Sequence, residues 1–210
     1  MKDIPMFTTE NGAASLILKE IPVRQTAYIK LLSSEAPALL LQECLNFCRA
    51  CGAEAVYASG EGIPERFPVS ATLVEMRGLL GVAVDASLFP VTKETVGRWR
   101  EICNERMKDV PNAAYFTKQD EGMLLKDGDC YFVHRDGALL GIGKASGDLI
   151  ELVASVKRGC GQTVLLALGS LLDGPEARLI VARENTRAMR LYEGLGMVAV
   201  REVSRWQKIL

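Results

Sequence analysis

Residues 153–163 read Val153-Ala-Ser-Val-Lys-Arg-Gly-Cys-Gly-Gln-Thr163, and the place of this stretch in the chain matters more than its glycines. It ends an aliphatic run from Leu149 to Val156 with strand character, and it opens the apolar segment Gly161 to Leu172, whose spacing predicts a helix. The start of a helix exposes N–H groups that no earlier turn can satisfy, and it carries a partial positive charge. Gly159 and Gly161 remove side chains where an anion must approach the backbone, and Arg158 stands beside them as a cation. A Walker loop needs a Lys after its last Gly, and the dinucleotide fingerprint needs three spaced glycines and a later acid, so neither nucleotide pattern applies.

Outward from this loop, Ala177 to Ala182 reads as a strand. After it, Asn185-Thr-Arg-Ala-Met-Arg-Leu-Tyr-Glu-Gly-Leu-Gly-Met197 begins with a good N-cap residue and ends in Gly194 and Gly196, which gives a second ligand-facing helix start. A last strand or hairpin covers Met197 to Trp206. Upstream, Asp129 to Arg135 and Ala138 to Lys144 flank Asp136-Gly137, the signature of a tight hairpin, and Gly147-Asp148 makes the next turn. Thr92 and Thr95 precede a charged helix through Trp99, Ile102 and Met107, ended by Pro111, and a shorter helix covers Thr117 to Lys126. From about Val82 these elements form one unit that opens with a short strand to Leu88.

The first 80 or so residues read as a smaller α/β unit. Strands are expected over Ala13 to Ile21 and Thr26 to Leu32, a helix over Glu35 to Ala50 stopped by Gly52, and a strand over Ala53 to Ala58. Ala71 to Leu80 is ambiguous between helix and strand. The order strand, helix, Gly-x-Glu-Ala, strand over Tyr28 to Ala58 matches that over Ile150 to Ala182, which raises a degenerate half-repeat without a glycine loop in the first copy. The fold class is therefore α/β (α+β), a mixed β-sheet flanked by helices, with domains at 1–81 and 82–210.

Composition narrows the partners. A chain of 210 residues, 49% apolar and 24% charged, can bury a core, and 25 basic against 26 acidic side chains create no field that would draw it to nucleic acid or anionic lipid. No apolar run reaches the roughly 20 residues of a bilayer span, and the segment from Lys2 to Glu10 lacks a signal-peptide core, so a soluble cytoplasmic protein is expected. The six cysteines sit in apolar segments and suit reduced thiols. Cys44, Cys48 and Cys51 carry the spacing of an iron–sulfur motif, but the same spacing lines one face of a helix, where cysteine acts as a small hydrophobe. No metal site is expected. His134, the single histidine, falls in the hairpin and reads as structural.

Arg158-Gly-Cys-Gly161-Gln-Thr163, followed by Asn185, Ala188, Leu191, Tyr192, Gly196 and Met197, resembles the GNAT superfamily of N-acetyltransferases. The resemblance covers about Asp129 to Trp206; Thr163 stands where Gly or Ala is usual and Ser155 where Pro is frequent. It implies acetyl-CoA as cosubstrate, the backbone of Val153, Ala154 and Val156 along the pantetheine arm, and the amides of Arg158, Gly159, Cys160, Gly161, Gln162 and Thr163 on the pyrophosphate. It also places Asn185 and Ala188 at the second helix start, gives Tyr192 the role of donor to the departing thiolate, and puts the oxyanion donor near Ala154. Glu151, two residues before Val153, is the nearest candidate base. The acceptor would be the primary amine of a small molecule or peptide, attacked directly and without a metal. A non-catalytic acyl-CoA sensor of the same fold is the rival reading, and a homodimer is left open.

Overall fold

The computed structural model describes residues 2–80, 84–110 and 113–210. The chain runs β1 (Ile4–Thr9), β2 (Gly12–Ile17), a single turn α1 (Ile21–Arg24), β3 (Thr26–Ser33), α2 (Pro37–Ala50), β4 (Ala55–Ser59), β5 (Val69–Leu79), β6 (Ser87–Pro90) and α3 (Val96–Met107). A 3-10 turn (Lys118–Asp120) then leads into α4 (Glu121–Asp127), followed by β7 (Cys130–Arg135), β8 (Ala138–Ser146), β9 (Leu149–Ser155), α5 (Gly161–Gly169), β10 (Glu176–Ala182), α6 (Thr186–Gly194) and β11 (Val198–Lys208). These elements form two compact units, Met1–Leu73 with Glu202–Leu210, and Val74–Arg201, with the divisions falling inside β5 and β11.

In the first unit β1, β2 and β3 form an antiparallel meander, and β4 pairs parallel to β3 after the α2 crossover. The end of β11 closes the order against β4, with Gln207 opposite Ala58 and Lys208 opposite Tyr57. Leu40, Leu41, Cys44, Leu45 and Cys48 of α2 are buried with Leu16, Ile29 and Val56 in one core, so the cysteine spacing serves packing.

The second unit is a mixed sheet in the order β5-β10-β9-β8-β7-β6, covered on both faces. Val164 to Leu168 of α5 and Tyr192 of α6 pack on one face with Val74, Met76, Leu179 and Val181. Val96, Trp99, Ile102 and Cys103 of α3 and Leu124 of α4 pack on the other with Phe132, Ile142, Leu152 and Ala154. Asp136 and Gly137 turn the β7–β8 hairpin with φ of 50° and 75°, the left-handed pair that matches strand twist. Gly141 and Gly143 let α5 lie directly on β8. A Cβ on Gly143 would stand 2.1 Å from Leu168 Cδ1, and one on Gly141 would stand 2.7 Å from Val164 Cγ2. These two glycines fix the height of α5 over the sheet and hence the place of its first turn.

Several boundaries differ from the sequence reading. Ala71 to Leu80 lies within strand β5, and β1 is an additional strand that pairs with β2. The strand expected from Val82 falls partly outside the described residues, where Pro111 also lies, and β6 begins at Ser87. The two compact units do not divide at 81/82, because the end of the chain returns to the first unit and buries Ile209 in its core. Periodicity along a chain cannot register such a return. Among the described residues no helix is long and apolar enough to cross a membrane.

The glycine packing makes a stability prediction. Gly143→Ala drives a methyl into Leu168 and the Leu152 carbonyl and lowers unfolding free energy by about 1–3 kcal/mol. Gly122→Ala meets nothing within 4 Å on α4 and raises it by up to about 1 kcal/mol. Denaturant titration of both variants checks the pair.

Candidate functional site

The parallel pairing of β9 with β10 is short. Only Arg178 with Leu149 and Leu179 with Ile150 are in register, although β9 continues to Ser155 and β10 to Ala182. The break coincides with a bulge. On β8, Ala145 faces Ile150 and Lys144 faces Leu152, which leaves Glu151 as the extra residue of β9. A bulge bends its strand and re-aims the residues beyond it, so β9 leaves β10 at this point while staying paired with β8 through Ser155.

The bulge corrects the expected face of Glu151. Period-two alternation put it beside Val153; instead its carboxylate reaches Lys144 Nζ at 2.7 Å, and Lys144 also holds Asp129 at 2.9 Å. Burial alone pulls the Lys144 pKa down, but the hydrogen bonds to Glu151 and Asp129 outweigh it and hold the ammonium above its usual range. This ion pair ties the Glu151 side chain down beside its own bulge.

Alternation also sorts the backbone groups beyond the bulge. The Val156 N–H donates to the Leu140 carbonyl at 2.9 Å, and the register continues through Ala154 opposite Ile142 and Leu152 opposite Lys144. Alternate residues of a ladder point their N–H and C=O to opposite edges. Ala154 and the Val156 N–H therefore serve β8, while Val153 and Ser155 face the side from which β10 has departed. Of the three residues expected along a pantetheine arm, Val153 has this orientation, shared by Ser155, and Ala154 and the Val156 N–H do not. Ala154, near which the oxyanion donor was expected, turns its own N–H to β8, and the amides on the open side are those of Val153 and Ser155.

Lys157 to Gly159 turn the chain into α5, with Gly159 at φ 85°. A Cβ there would meet nothing within 4 Å, so the front of the loop is open. Cys160 is the N-cap of α5 and no side chain caps the helix, which leaves the first-turn amides of Gly161, Gln162 and Thr163 without a side-chain acceptor. Arg158 is exposed beside them. The Thr163 hydroxyl accepts from Arg135 Nη2 at 3.0 Å, which brings a further guanidinium to the first turn. The start of α6 is different: the Asn185 side chain accepts from the Ala188 N–H at 3.2 Å, so this helix is capped by its own residue. The second ligand-facing start expected from sequence is satisfied internally.

Val153, Cys160, Ala188, Leu191 and Tyr192 are united in one apolar cluster, and a Cβ on Gly161 would touch Leu191 Cδ2 at 3.3 Å. Tyr192 is 8% exposed, and burial pushes its phenol up to about 12. His134 sits in the hairpin with its ring edge-on to Phe89 at 5.2 Å. The first unit has a separate cleft of about 780 Å³ lined by Lys30, Glu61, Glu65, Glu202 and Arg205 among others; none of its lining residues comes from β9, α5 or α6.

No family profile and no curated protein sequence matches the chain. Solved structures do. A GCN5-related N-acetyltransferase from Sphaerobacter thermophilus has a TM-score of 0.54 at 12% identity over 94% of this chain and 76% of its own. A tandem GNAT protein from the clavulanic acid biosynthesis pathway has a TM-score of 0.54 at 15% identity over 94% and 78%. A functionally unknown conserved protein from Staphylococcus epidermidis has a TM-score of 0.58 at 12% identity over 96% and 91%. The chain thus has the fold of the GNAT acetyltransferases, a mixed sheet flanked by helices.

Asn185→Ala removes the α6 cap and is expected to lower stability by about 1 kcal/mol, with Asn185→Asp retaining it. Thermal melts decide between a capping role and a ligand role: a variant that melts as the parent does yet loses ligand binding would contradict the cap.

Proposed function

We propose that the protein is an N-acyltransferase that moves an acetyl or short acyl group from acetyl-CoA to the primary amine of a small molecule or peptide. The observation that carries this reading is the coincidence of the Glu151 bulge, the opening between β9 and β10, and the uncapped first turn of α5 directly after β9. An opening beside a strand edge suits an extended amide-bearing arm, and free amides at a helix start suit a diphosphate. The space in front of Gly159 supports the fit. The Thr163 hydroxyl, accepting from Arg135, keeps its own proton to donate.

Acetyl-CoA supplies a thioester whose acyl carbon an amine attacks directly, forming the C–N bond as the C–S bond breaks. The chain's own groups then have three tasks. Of the two open-side amides, those of Val153 and Ser155, one would donate to the oxygen that gains charge and the other to the pantetheine arm. Tyr192 has no hydrogen-bond partner among the described residues, so its hydroxyl is free to donate to a departing sulfur. With the phenol near 12 and a thiol near about 8.5, full proton transfer to the thiolate is uphill; Tyr192 stabilises it by a hydrogen bond, and the proton released by the amine goes to solvent. Glu151 has no step in this scheme, since its carboxylate is turned to Lys144 and not to the opening.

The first unit reads as a copy of the same strand-meander and crossover that lacks the site. Its β3 and β4 stay paired from Thr26 with Ala55 to Lys30 with Ser59, with no opening between them. The start of α2 is filled: Pro37 occupies its first turn, and a Cβ on Gly62 would stand 2.3 Å from Pro37 Cγ. Hydrogen exchange with coenzyme A bound should therefore protect residues 153–163 and leave 33–40 unchanged.

Release of free thiol from acetyl-CoA with a panel of amines tests the activity. Tyr192→Phe should lower kcat by about 100-fold, while Glu151→Gln stays within about threefold of the parent. Coenzyme A binding with no turnover on any amine would favour a sensor. The raised phenol keeps its proton as pH rises, so kcat/KM should climb until the acceptor amine is neutral, with no alkaline fall due to Tyr192 below pH of about 10. A fall near pH of about 8 would remove Tyr192 from the mechanism.

A further inference from the structure

Arg106, in the last turn of α3, reaches across to the end of β9. Its Nε donates to the Ser155 carbonyl at 2.9 Å and its Nη2 to the Val156 carbonyl at 2.6 Å. Those two carbonyls are the last before the loop of residues 157–160, and the Ser155 carbonyl is one of the groups that alternation turns to the open side. The side chain is exposed, and no carboxylate among the described residues forms an ion pair with it. Other arginines in this unit are neutralised: Arg100 by Glu121, Arg178 by Asp148, Arg201 by Glu75. A guanidinium fixed by two neutral carbonyls has no counter-charge there, and the residues it holds, Ser155 and Val156, directly precede the loop of residues 157–160 that leads into α5.

From this we infer that Arg106 is a cofactor-positioning residue with two effects, an inference that rests on the acyltransferase reading. By holding the Ser155 carbonyl it limits the strand edge open to a pantetheine arm to the N–H and C=O of Val153 and the N–H of Ser155, which sets the register of that arm. By standing unneutralised at the mouth of the opening it attracts the diphosphate that the α5 amides receive. A purely structural link between α3 and β9 would share the hydrogen bonds but not the dependence on charge.

Titration calorimetry of coenzyme A into the full chain and into Arg106→Met, Arg106→Gln and Arg106→Lys separates the roles. Arg106→Met and Arg106→Gln should bind about tenfold more weakly than the parent at ~50 mM salt. The gap should narrow to about threefold or less at ~0.5 M salt, where screening removes the charge effect, and Arg106→Lys should recover most of the loss at low salt. Thermal melts confirm that each variant is folded; two neutral replacements keep the test intact if one is not. Affinity unchanged in both neutral variants, or a loss of equal size at both salt concentrations, would reduce Arg106 to a structural link and overturn the inference. Tighter binding would make it a competitor for the strand edge and overturn it as well. If the parent gives no heat with coenzyme A, the acyl-CoA reading itself fails, which is a different result from failure confined to Arg106.

Discussion

The second unit is organised by a single inserted residue in a ladder. With Glu151 absorbed into a bulge, β9 keeps its hydrogen bonds to β8 and gives up those to β10, so the sheet opens on one side of one strand. Backbone N–H and C=O groups at such an edge need partners. Arg106 supplies one for the Ser155 carbonyl, while Val153 is left to water or to a ligand with amides of its own. The bulge is itself held: Lys144, buried at 8% exposure, ties Glu151 to Asp129 beside it on β7's entry. Removing the ammonium would strand a buried carboxylate, a costly outcome in a low-dielectric setting, so the open edge has a strong local cause.

The opening would serve little without a helix start at its end. Gly141 and Gly143 bring α5 down onto β8, and Leu168 and Val164 fill the space that two side chains would take. That contact decides where the first turn of α5 lies. The same unit shows what an occupied start looks like: the Asn185 side chain at the start of α6 accepts from the Ala188 N–H, whereas the Cys160 side chain at the start of α5 caps no first-turn amide. Two helices of equal length thus differ in whether their positive ends are spent internally, and the difference lies in one N-cap side chain.

Much of this was legible in the sequence, for physical reasons that differ by element. The β7–β8 hairpin followed from Asp136-Gly137, because few residue pairs accept two left-handed conformations in succession. The glycine loop after β9 and the start of α5 followed from glycines placed between an aliphatic run and a helical period. The bulge did not, because alternation assumes an unbroken period of two and Glu151 is the residue that breaks it. Lys144 left a faint signal as a lone charge within the apolar stretch Leu139 to Ala145, where only a partnered cation is tolerated. Arg106 left none: it sits in a charged helix among Arg98, Arg100, Glu101 and Glu105, and only the packing of α3 selects it. Asn185 was recognised as a cap, but whether a cap serves its own helix or a ligand is decided by geometry.

The two units share an order of strands and differ in the feature that creates a site. In each, three antiparallel strands are followed by a helix and a parallel fourth strand. Between β3 and β4 the parallel ladder runs unbroken from Thr26 to Lys30, and at the following helix start Pro37 packs under Gly62. A continuous ladder satisfies its own backbone groups and a filled corner excludes a phosphate, so that half is stable without a ligand. The second half leaves both unsatisfied. Tolerating an open edge and an uncapped helix start costs stability that packing elsewhere must offset, and a fold keeps such features where something binds. The contrast within one chain therefore argues for a ligand at β9 and α5 more strongly than either feature alone.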